Sequence, residues 1–241
     1  MSRQARLSRR NFLASSAALA AFTIPQARAF GQAVTAPPSG QFRFAQIGAG
    51  GKGDSDLNNT VGCGGLLVGM CDVDPKKAEK NFKKYADVPK FSDYRKMLDK
   101  LDKEIDGVVI STPDHTHAVA ALEAMRRGKH VYVQKPLART FEECQLMLEA
   151  SRKYKVVTQM GNQGHAGAGL ILWKKMMDAN ALGDILEVHT WSNRPIWPQG
   201  MTQAPAEEPV PEGMDWNSWI GPAQMRPFSS AYAPFKWRGW W

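Results

Sequence analysis

The sequence of 241 residues predicts an α/β protein built on a doubly wound parallel sheet. Two observations lead to this prediction. Apolar runs alternate with amphipathic stretches of about ten residues between positions 42 and 160, as in successive β–α–β units. The first apolar run also ends in a glycine-rich turn at residues 48–53, which is typical of the strand-to-helix turn that opens such a sheet.

The first element is an apolar strand over residues 42–47, which runs directly into a G-x-G-x-x-G turn. Gly48 permits the tight turn, Gly50 lets backbone N–H groups approach a pyrophosphate, and Gly53 lets the next helix pack against its strand. The N-terminus of that helix then points at the phosphates, where its dipole and its free amides favour an anion. The turn therefore predicts a Rossmann dinucleotide site.

A second strand over residues 66–71 ends in Asp72, 19 residues after Gly53. Dinucleotide-binding folds place an acid at roughly this spacing, where it accepts hydrogen bonds from the adenosine ribose. A carboxylate repels a 2′-phosphate, and no basic residue follows Asp72 before Lys76. The pattern therefore predicts NAD as the cofactor and makes NADP the less favoured one.

The remaining elements continue the alternation. Pro75 suits the first position of its helix and Gly128 suits a helix end. Asp114 is expected to cap the N-terminus of the helix that follows it, with a catalytic role as the alternative. Helices are predicted over residues 75–85, 93–101, 117–127 and 141–154, and strands over residues 105–110, 129–133 and 156–160. Since ligands of such sheets lie beyond the carboxyl ends of the strands, the residues that follow each strand should surround one site.

Residues 161–241 are expected to be part of a second, α+β domain for substrate binding and oligomerisation. A helix is predicted near residues 170–178, and the alternation of apolar and polar residues over 185–191 predicts a strand. The rest is rich in loops, and residues 191–241 carry seven of the eight tryptophans. The chain is thus divided into a Rossmann domain at 42–160 and the beginning of a substrate domain at 161–241.

The first 29 residues are typical of an export signal. They carry arginines but no acids, an apolar stretch at 12–24, and an Ala-Arg-Ala sequence at 27–29 that suits signal peptidase. The sequence Ser-Arg-Arg-Asn-Phe-Leu at 8–13 further resembles the twin-arginine signal. We therefore expect the twin-arginine machinery to export the protein to the periplasm, and residues 30–41 to be a flexible linker. An ordinary secretory signal and a membrane anchor are the alternatives.

The net charge of +8 gives little support for nucleic-acid binding. Removal of the leader would take away five arginines and leave a charge of about +3. The three cysteines contain no C-x-x-C pair, which predicts neither a disulfide framework nor a metal site, and Cys71 and Cys144 are interpreted as core residues. His115 and His117 lack further ligands at metal-binding spacing, so no metal is expected there.

Together these motifs resemble the Gfo/Idh/MocA family, the group of glucose–fructose oxidoreductase and inositol dehydrogenase. The resemblance covers nearly all of residues 42–241. It rests on the turn at 48–53, on S-T-P-D-H-T-H at 111–117 and on G-K-H-V-Y-V-Q-K-P-L at 128–137, and the segment 191–200 resembles an exported subgroup. The family usually has Glu-Lys-Pro where this chain has Gln134, Lys135 and Pro136.

The resemblance implies hydride transfer between a nicotinamide and a sugar, cyclitol or sugar derivative. It makes Lys135 the catalytic residue, beside the nicotinamide and the substrate hydroxyl whose proton it manages. Pro136 would fix the turn, and Gln134 would keep the hydrogen bond but not the charge of the usual Glu. The resemblance also implies that Thr112 and Pro113 line the nicotinamide side of the cofactor. His117 is expected to support the cofactor loop, and Asn162 and Gln163 are expected to donate to the nicotinamide or the substrate side of the cleft.

Three residues are candidates for contact with the substrate. His165 follows a glycine-rich turn, with the start of a helix as its alternative role. Arg194 can bind hydroxyls or a carboxylate, and Trp197 offers a ring face that suits the C–H patches of a sugar, although it can equally belong to a second core.

The chain ends at an Arg-Gly-Trp-Trp segment, after which the family carries its catalytic Asp and His. We therefore expect a C-terminally truncated chain that binds NAD and is inactive alone, and an oligomer through the second domain when that domain is complete. The alternatives are an NAD-dependent glycosidase that oxidises its sugar transiently and a non-catalytic protein that binds a nucleotide or a sugar.

Overall fold

Six parallel strands form the frame of the protein in a computed structural model, which describes residues 40–194, 197 and 199–239. They are β1 (Arg43–Ile47), β2 (Leu66–Cys71), β3 (Lys90–Phe91), β4 (Gly107–Ile110), β5 (His130–Gln134) and β6 (Thr158–Gly161). They lie in the order β3-β2-β1-β4-β5-β6, and every neighbouring pair is parallel. From β1 the strands are added first toward β3 on one side and then, after the crossover to β4, toward β6 on the other. Doubly wound sheets bind their ligands at this point of reversal, between β1 and β4.

Seven α-helices and four 3₁₀ turns are found among the described residues. The helices are α1 (Lys52–Gly62), α2 (Pro75–Lys84), α3 (Tyr94–Lys100), α4 (His117–Arg126), α5 (Phe141–Lys153), α6 (Ala168–Asp178) and α7 (Trp216–Ile220). The 3₁₀ turns are Asp102–Glu104, Asp114–Thr116, Gln163–Ala166 and Lys236–Gly239. Within these described ranges no helix has the length and apolar character needed to cross a membrane.

The helices divide between the two faces of the sheet. On one face, Phe44 of β1 packs with Leu57 of α1 and Ala78 of α2. On the other face, Ile47 packs in a larger cluster with residues of α3, α4 and α5. Successive strand residues point to opposite faces, so both layers require apolar residues and the strands read as continuous apolar runs.

The predicted doubly wound parallel sheet is confirmed, and the elements for which bounds were predicted lie within two residues of those bounds. The sequence analysis predicted neither the two-residue strand β3 nor the helix α7. Capping side chains fix the starts of two of the predicted helices. Asp93 precedes α3 and caps it, because its carboxylate accepts from the N–H of Arg95 at 2.9 Å. Thr140 and Glu143 form a capping box at the start of α5.

Two local predictions are wrong. Residues 185–191 form no strand, and the side chains of Leu186 and Trp191 are 96% and 88% exposed. A strand needs a partner, and no other strand in the described part of the chain pairs with this stretch. The side chain of Asp114 caps no helix, because the turn Asp114–Thr116 leads directly into α4. The backbone carbonyl of Asp114 already accepts from the N–H of His117, the first residue of α4.

The C-terminal strap, residues 213–239, lies against the carboxyl edge of the sheet. The N–H of Asp215 donates to the carbonyl of Val73 at 2.9 Å, directly after β2. Trp216 and Trp219 stack with their ring centroids 4.7 Å apart, inside a third apolar cluster that includes Tyr232. This packing places an aromatic wall beside the ends of β2 and β4.

Candidate cofactor site

A cavity of about 610 Å³ lies at the carboxyl edge of the sheet, between the glycine turn and the C-terminal strap. The ends of β1, β2 and β4 contribute Ile47, Cys71 and Ser111 to its lining, and the strap contributes Trp219 and Phe235. The cavity occupies the point at which the strand order reverses. Its position and size suit an organic cofactor.

The glycine turn is shaped by close backbone contacts. Gly48 has φ +80°, and a Cβ there would lie 2.9 Å from the carbonyl of Ser111. A Cβ on Gly53 would lie 1.8 Å from the carbonyl oxygen of Gly48. A Cβ on Gly50 would lie 2.5 Å from the carbonyl oxygen of Lys77, so packing against α2 requires this glycine independently of any ligand.

Asp72 ties the end of β2 to this turn. Its carboxylate accepts from the backbone N–H groups of Ala49 at 2.8 Å, Gly50 at 3.0 Å and Asp74 at 3.0 Å. Burial raises the pKa of Asp72, and the hydrogen bonds from the three amides oppose that rise. The acid predicted to bind the ribose thus also holds the turn in place.

Several donors of the cavity wall lack a protein partner. The backbone N–H groups of Gly51 and Lys52, at the N-terminus of α1, have no acceptor among the described residues. The buried Oγ1 of Thr112 also has no partner there. Amides at a helix N-terminus bind phosphate, and a buried unpaired hydroxyl favours a polar ligand group. These features fit a dinucleotide.

His117 links the ends of β4 and β5 behind the cavity. The ring is fully buried, with Nε2 2.9 Å from the carbonyl oxygen of Thr112 and Nδ1 2.7 Å from that of Pro136. A neutral imidazole donates to one of these carbonyls and a protonated one donates to both. The Lys135–Pro136 peptide bond is cis.

Lys135 and Pro136 are exposed at the end of β5 and do not line the cavity. Asp114 lies within electrostatic range of Lys135 and of Arg238 in the C-terminal strap. Burial raises the pKa of Asp114, and the positive charges of Arg238 and Lys135 oppose the rise. Of these three charged residues, only Arg238 lines the cavity.

Two of the predicted substrate contacts join the C-terminal strap. The guanidinium of Arg194 lies 5.9 Å from the ring centroid of Trp197, and the Trp197 ring packs edge-on against Phe235 at 6.1 Å. The guanidinium of Arg238 also lies near this ring, 5.8 Å from the centroid of Trp197. Because Phe235 and Arg238 line the cavity, this cluster lies at its margin.

The residues after β6 are less closely associated with the cavity. Asn162, Gln163 and His165 are exposed and do not line it. The side-chain amide of Gln163 donates to the hydroxyl of Tyr132 at 2.9 Å, which holds the end of β6 beside β5. Gln134 is buried and faces α1 rather than the cavity.

The C-terminal strap is anchored through His115. Its Nε2 lies 2.7 Å from the carbonyl oxygen of Trp219, and the two ring centroids are 5.1 Å apart. Burial lowers the pKa of His115, which favours the neutral ring. Nowhere in the described residues do three His, Cys, Asp or Glu side chains come together in a way that could hold a metal ion.

Sequence-based reasoning missed most of the cavity lining, including Lys52, Trp219 and Arg238. Lys52 lies inside the glycine turn, so its position offered a signal. Trp219 and Arg238 line the cavity from the distant C-terminal strap, and no sequence pattern connects that segment to the glycine turn.

Comparison with known proteins places the chain in an enzyme family. Residues 42–162 match the model of the Gfo/Idh/MocA oxidoreductase family, described as an NAD-binding Rossmann fold. An inositol 2-dehydrogenase of Salmonella typhimurium is 33% identical over 135 residues, which cover 55% of this chain and 39% of that protein. A glycosyl hydrolase family 109 protein of Shewanella pealeana is 30% identical over 175 residues, which cover 68% of this chain and 38% of that protein.

A solved structure gives the same result for the fold. The WlbA dehydrogenase from Chromobacterium violaceum, in complex with NADH and UDP-GlcNAcA, has a TM-score of 0.53 and 26% identity, covering 59% of this chain and 41% of that one. The chain thus spans about two fifths of the length of these relatives. The family model covers half of this chain, and the chain belongs to the Gfo/Idh/MocA family of oxidoreductases with an NAD-binding Rossmann fold.

Proposed function

We propose that the protein is an NAD-dependent oxidoreductase that transfers a hydride between a sugar, cyclitol or sugar derivative and the nicotinamide. The observation that carries the proposal is the cavity at the strand reversal, which joins the glycine turn and Asp72 to Thr112 and Pro113 after β4. Lys135 follows β5, the strand beside β4. The similarity to an inositol 2-dehydrogenase and to a dehydrogenase complexed with NADH and UDP-GlcNAcA supports it.

Different residues of the cavity would bind different parts of NAD. The free amides of Gly51 and Lys52 would hold the pyrophosphate, Asp72 the adenosine ribose, and the unpaired hydroxyl of Thr112 the nicotinamide side. NAD bound in this way supplies a hydride acceptor. Pro113 and the indole of Trp219 would exclude water from the cavity.

NAD is favoured over NADP by the charges around Asp72. Its buried carboxylate would repel a 2′-phosphate. Arg95 and Lys77 also line this part of the cavity. However, the guanidinium of Arg95 is neutralised by Asp93, with Nε and a terminal nitrogen 2.9 and 3.0 Å from the two carboxylate oxygens.

Lys135 would hydrogen-bond the substrate hydroxyl through Nζ and, as the neutral amine, would accept the hydroxyl proton as the hydride leaves. Its exposed position leaves it accessible to a substrate that enters from the margin of the cavity. Trp197 and Arg194 lie at that margin and would contact the sugar, the ring through its face and the guanidinium through hydroxyl groups. His165 would complete the substrate side, with Asn162 and Gln163 on the nicotinamide side.

The direct test is a panel of sugars, cyclitols and their derivatives, offered with NAD and with NADP to the full-length protein. Accumulation of reduced cofactor, detected by its absorbance, is the expected result, with NAD the better cofactor. The proposal would be wrong if no member of a broad panel reduced either cofactor while the cavity bound NAD.

A second candidate is an NAD-dependent glycosidase that oxidises its sugar only transiently. It is favoured by the longer match to a glycosyl hydrolase family 109 protein, which extends over 175 residues against 135 for the inositol dehydrogenase. The two functions differ in net redox change. A glycosidase would release the phenol of an aryl glycoside without accumulating NADH, whereas a dehydrogenase would accumulate NADH.

We further propose that the protein is exported to the periplasm by the twin-arginine machinery. The proposal rests on Arg9 and Arg10 within the sequence at 8–13 and on the apolar stretch that follows. Because this route carries folded proteins, the cofactor would be acquired before export.

A further inference from the structure

A buried polar network lies behind the glycine turn, on the face of the sheet that α1 covers. Asp56 of α1 is 6% exposed, and one of its carboxylate oxygens accepts from Ser111 Oγ at 2.7 Å and from Gln134 Nε2 at 2.8 Å. Lys52 Nζ lies 2.7 Å from the other oxygen. A single carboxylate therefore contacts Ser111 directly after β4, Gln134 at the end of β5 and Lys52 in the glycine turn.

The network determines the orientation of the Gln134 amide. Its Nε2 donates to Asp56, and its Oε1 accepts from the backbone N–H of Lys135 at 3.3 Å. Gly161 of β6 confines it from the side, because a Cβ there would lie 2.9 Å from Gln134 Nε2. An amide offers a donor and an acceptor at once, which an ionised carboxylate cannot do.

A glutamate at position 134, which the family resemblance leads one to expect, would not suit this network. Its carboxylate would lie against that of Asp56 at a buried position. Two carboxylates so close together cannot both ionise, and one of them must hold a proton. The acid on α1 and the amide on β5 are therefore complementary.

We propose that Asp56 is a positioning residue and that Asp56 and Gln134 are a matched acid–amide pair that orients Lys135 at the end of β5. The role of Lys135 in turnover rests on the proposed function. The pairing and the orientation do not depend on it, and both can be measured without a substrate.

The first test exchanges the two groups in the full-length protein. Gln134→Glu, Asp56→Asn and the double variant Asp56→Asn/Gln134→Glu are compared with the wild type by thermal unfolding at pH 5 and pH 8. In Gln134→Glu the shared proton is favoured only in the folded state, so the pKa of the acid pair is raised there. Stability is retained at pH 5 and lost as pH rises.

We expect the unfolding temperature of Gln134→Glu to fall by about 5 °C more than that of the wild type between these pH values. The double variant again has one acid and one amide, and should lose this extra dependence. Gln159→Glu introduces the same charge at an exposed position of β6 and serves as the control, with a pH dependence like that of the wild type. Equal pH dependence of Gln134→Glu and the wild type, or no recovery in the double variant, would overturn the pairing.

The second test observes Lys135 directly. Lysines are dimethylated with ¹³C, which keeps their charge, and the Lys135 resonance is identified by its loss in Lys135→Arg. We expect this resonance to move in Gln134→Glu and in Asp56→Asn and to return toward its wild-type position in the double variant. An unchanged Lys135 resonance in both single variants would overturn the orienting role. Absence of sugar oxidation by the wild type would instead count against the proposed function. The unfolding measurements and the Lys135 resonance could still be interpreted, because neither needs a substrate.

Discussion

Lys135 is the residue on which the proposed chemistry depends. It is exposed and follows a buried strand, so its replacement should leave the fold and the cofactor cavity intact. We expect Lys135→Ala to lower kcat by about 10²-fold or more, the usual contribution of a general acid–base group. The affinity for NAD should change by less than about threefold, because Lys135 does not line the cavity.

The measurement is steady-state oxidation of the best sugar together with calorimetric titration of NAD. Lys103→Ala removes an exposed lysine far from the carboxyl edge and should change neither quantity. Turnover of Lys135→Ala at the wild-type rate would contradict the role assigned to this side chain.

Asp72 should make cofactor binding sensitive to acid. Burial raises its pKa, so the folded protein disfavours the ionised form relative to the unfolded chain. Ionised Asp72 therefore lowers stability, and this penalty disappears as pH falls below about 3.9, the ordinary pKa of an aspartate. The carboxylate also accepts the hydrogen bonds of the turn and, as proposed, those of the ribose, and protonation removes acceptor capacity.

We therefore expect the Kd for NAD to rise as pH falls toward about 3.9, the ordinary pKa of an aspartate, and this rise should begin at a higher pH than an unperturbed aspartate would give. Asp72→Asn should bind NAD more weakly at neutral pH and should lack this acid dependence. It should also discriminate less against NADP, because the repulsive charge is gone. The Kd for NAD of the wild type and of Asp72→Asn is measured by titration at a series of acidic pH values. The same pH dependence of Kd in both proteins would rule out Asp72 as the titrating group.

At the scale of elements, the C-terminal strap closes one side of the cavity. Trp219 is 9% exposed, stacks on Trp216 and lines the cavity. Its backbone carbonyl oxygen lies within hydrogen-bond distance of His115 Nε2. Trp219→Ala should destabilise the protein by about 3 kcal/mol, as expected for truncation of a buried aromatic residue. It should also weaken NAD binding, because one wall of the cavity is lost.

Trp173 provides a matched control for that substitution. It lies on α6 and is 53% exposed, so Trp173→Ala should leave both the unfolding free energy and the Kd for NAD close to the wild-type values. Chemical denaturation and NAD titration measure the two effects. An unchanged NAD affinity in Trp219→Ala would show that the strap is not part of the cofactor site.

The elements that the sequence predicts well are those with local signals. The strands of the sheet have apolar runs on both faces, and their helices have caps such as Asp93 and Thr140. The stretch 185–191 has the alternation of a strand, but pairing depends on a distant partner that the pattern cannot reveal. Asp114 has the residue type of a cap, yet the preceding 3₁₀ turn already satisfies the first amide of α4.

The same distinction applies to the candidate site. The glycine turn and Asp72 have fixed spacing and could be found from the sequence, and Gly48, Gly50 and Asp72 line the cavity. Asp56 looks like any polar helix residue, and only the packing of α1 on the sheet brings it to Gln134. Contacts between distant segments, such as Trp219 with His115, leave no spacing signal.

At the scale of the whole molecule, the leader gives a prediction about location. Replacing Arg9 and Arg10 by lysine keeps the charge of the leader but removes the twin-arginine pair. We expect the variant to stay in the cytoplasm, while a variant with lysine at Arg3 and Arg6 is exported like the wild type. Cell fractionation followed by immunoblotting measures this, and export of the Arg9/Arg10 variant at the wild-type level would exclude the twin-arginine route.

The central claim is that a dinucleotide binds across the carboxyl ends of the parallel strands, with Lys135 beside its nicotinamide. A crystal structure of the full-length protein grown with NAD tests this claim most directly. We expect the ribose at Asp72, the pyrophosphate at the N-terminus of α1, and the amine of Lys135 directed at the nicotinamide side of the cavity. NAD bound elsewhere, or a Lys135 amine directed away from the nicotinamide, would contradict the account.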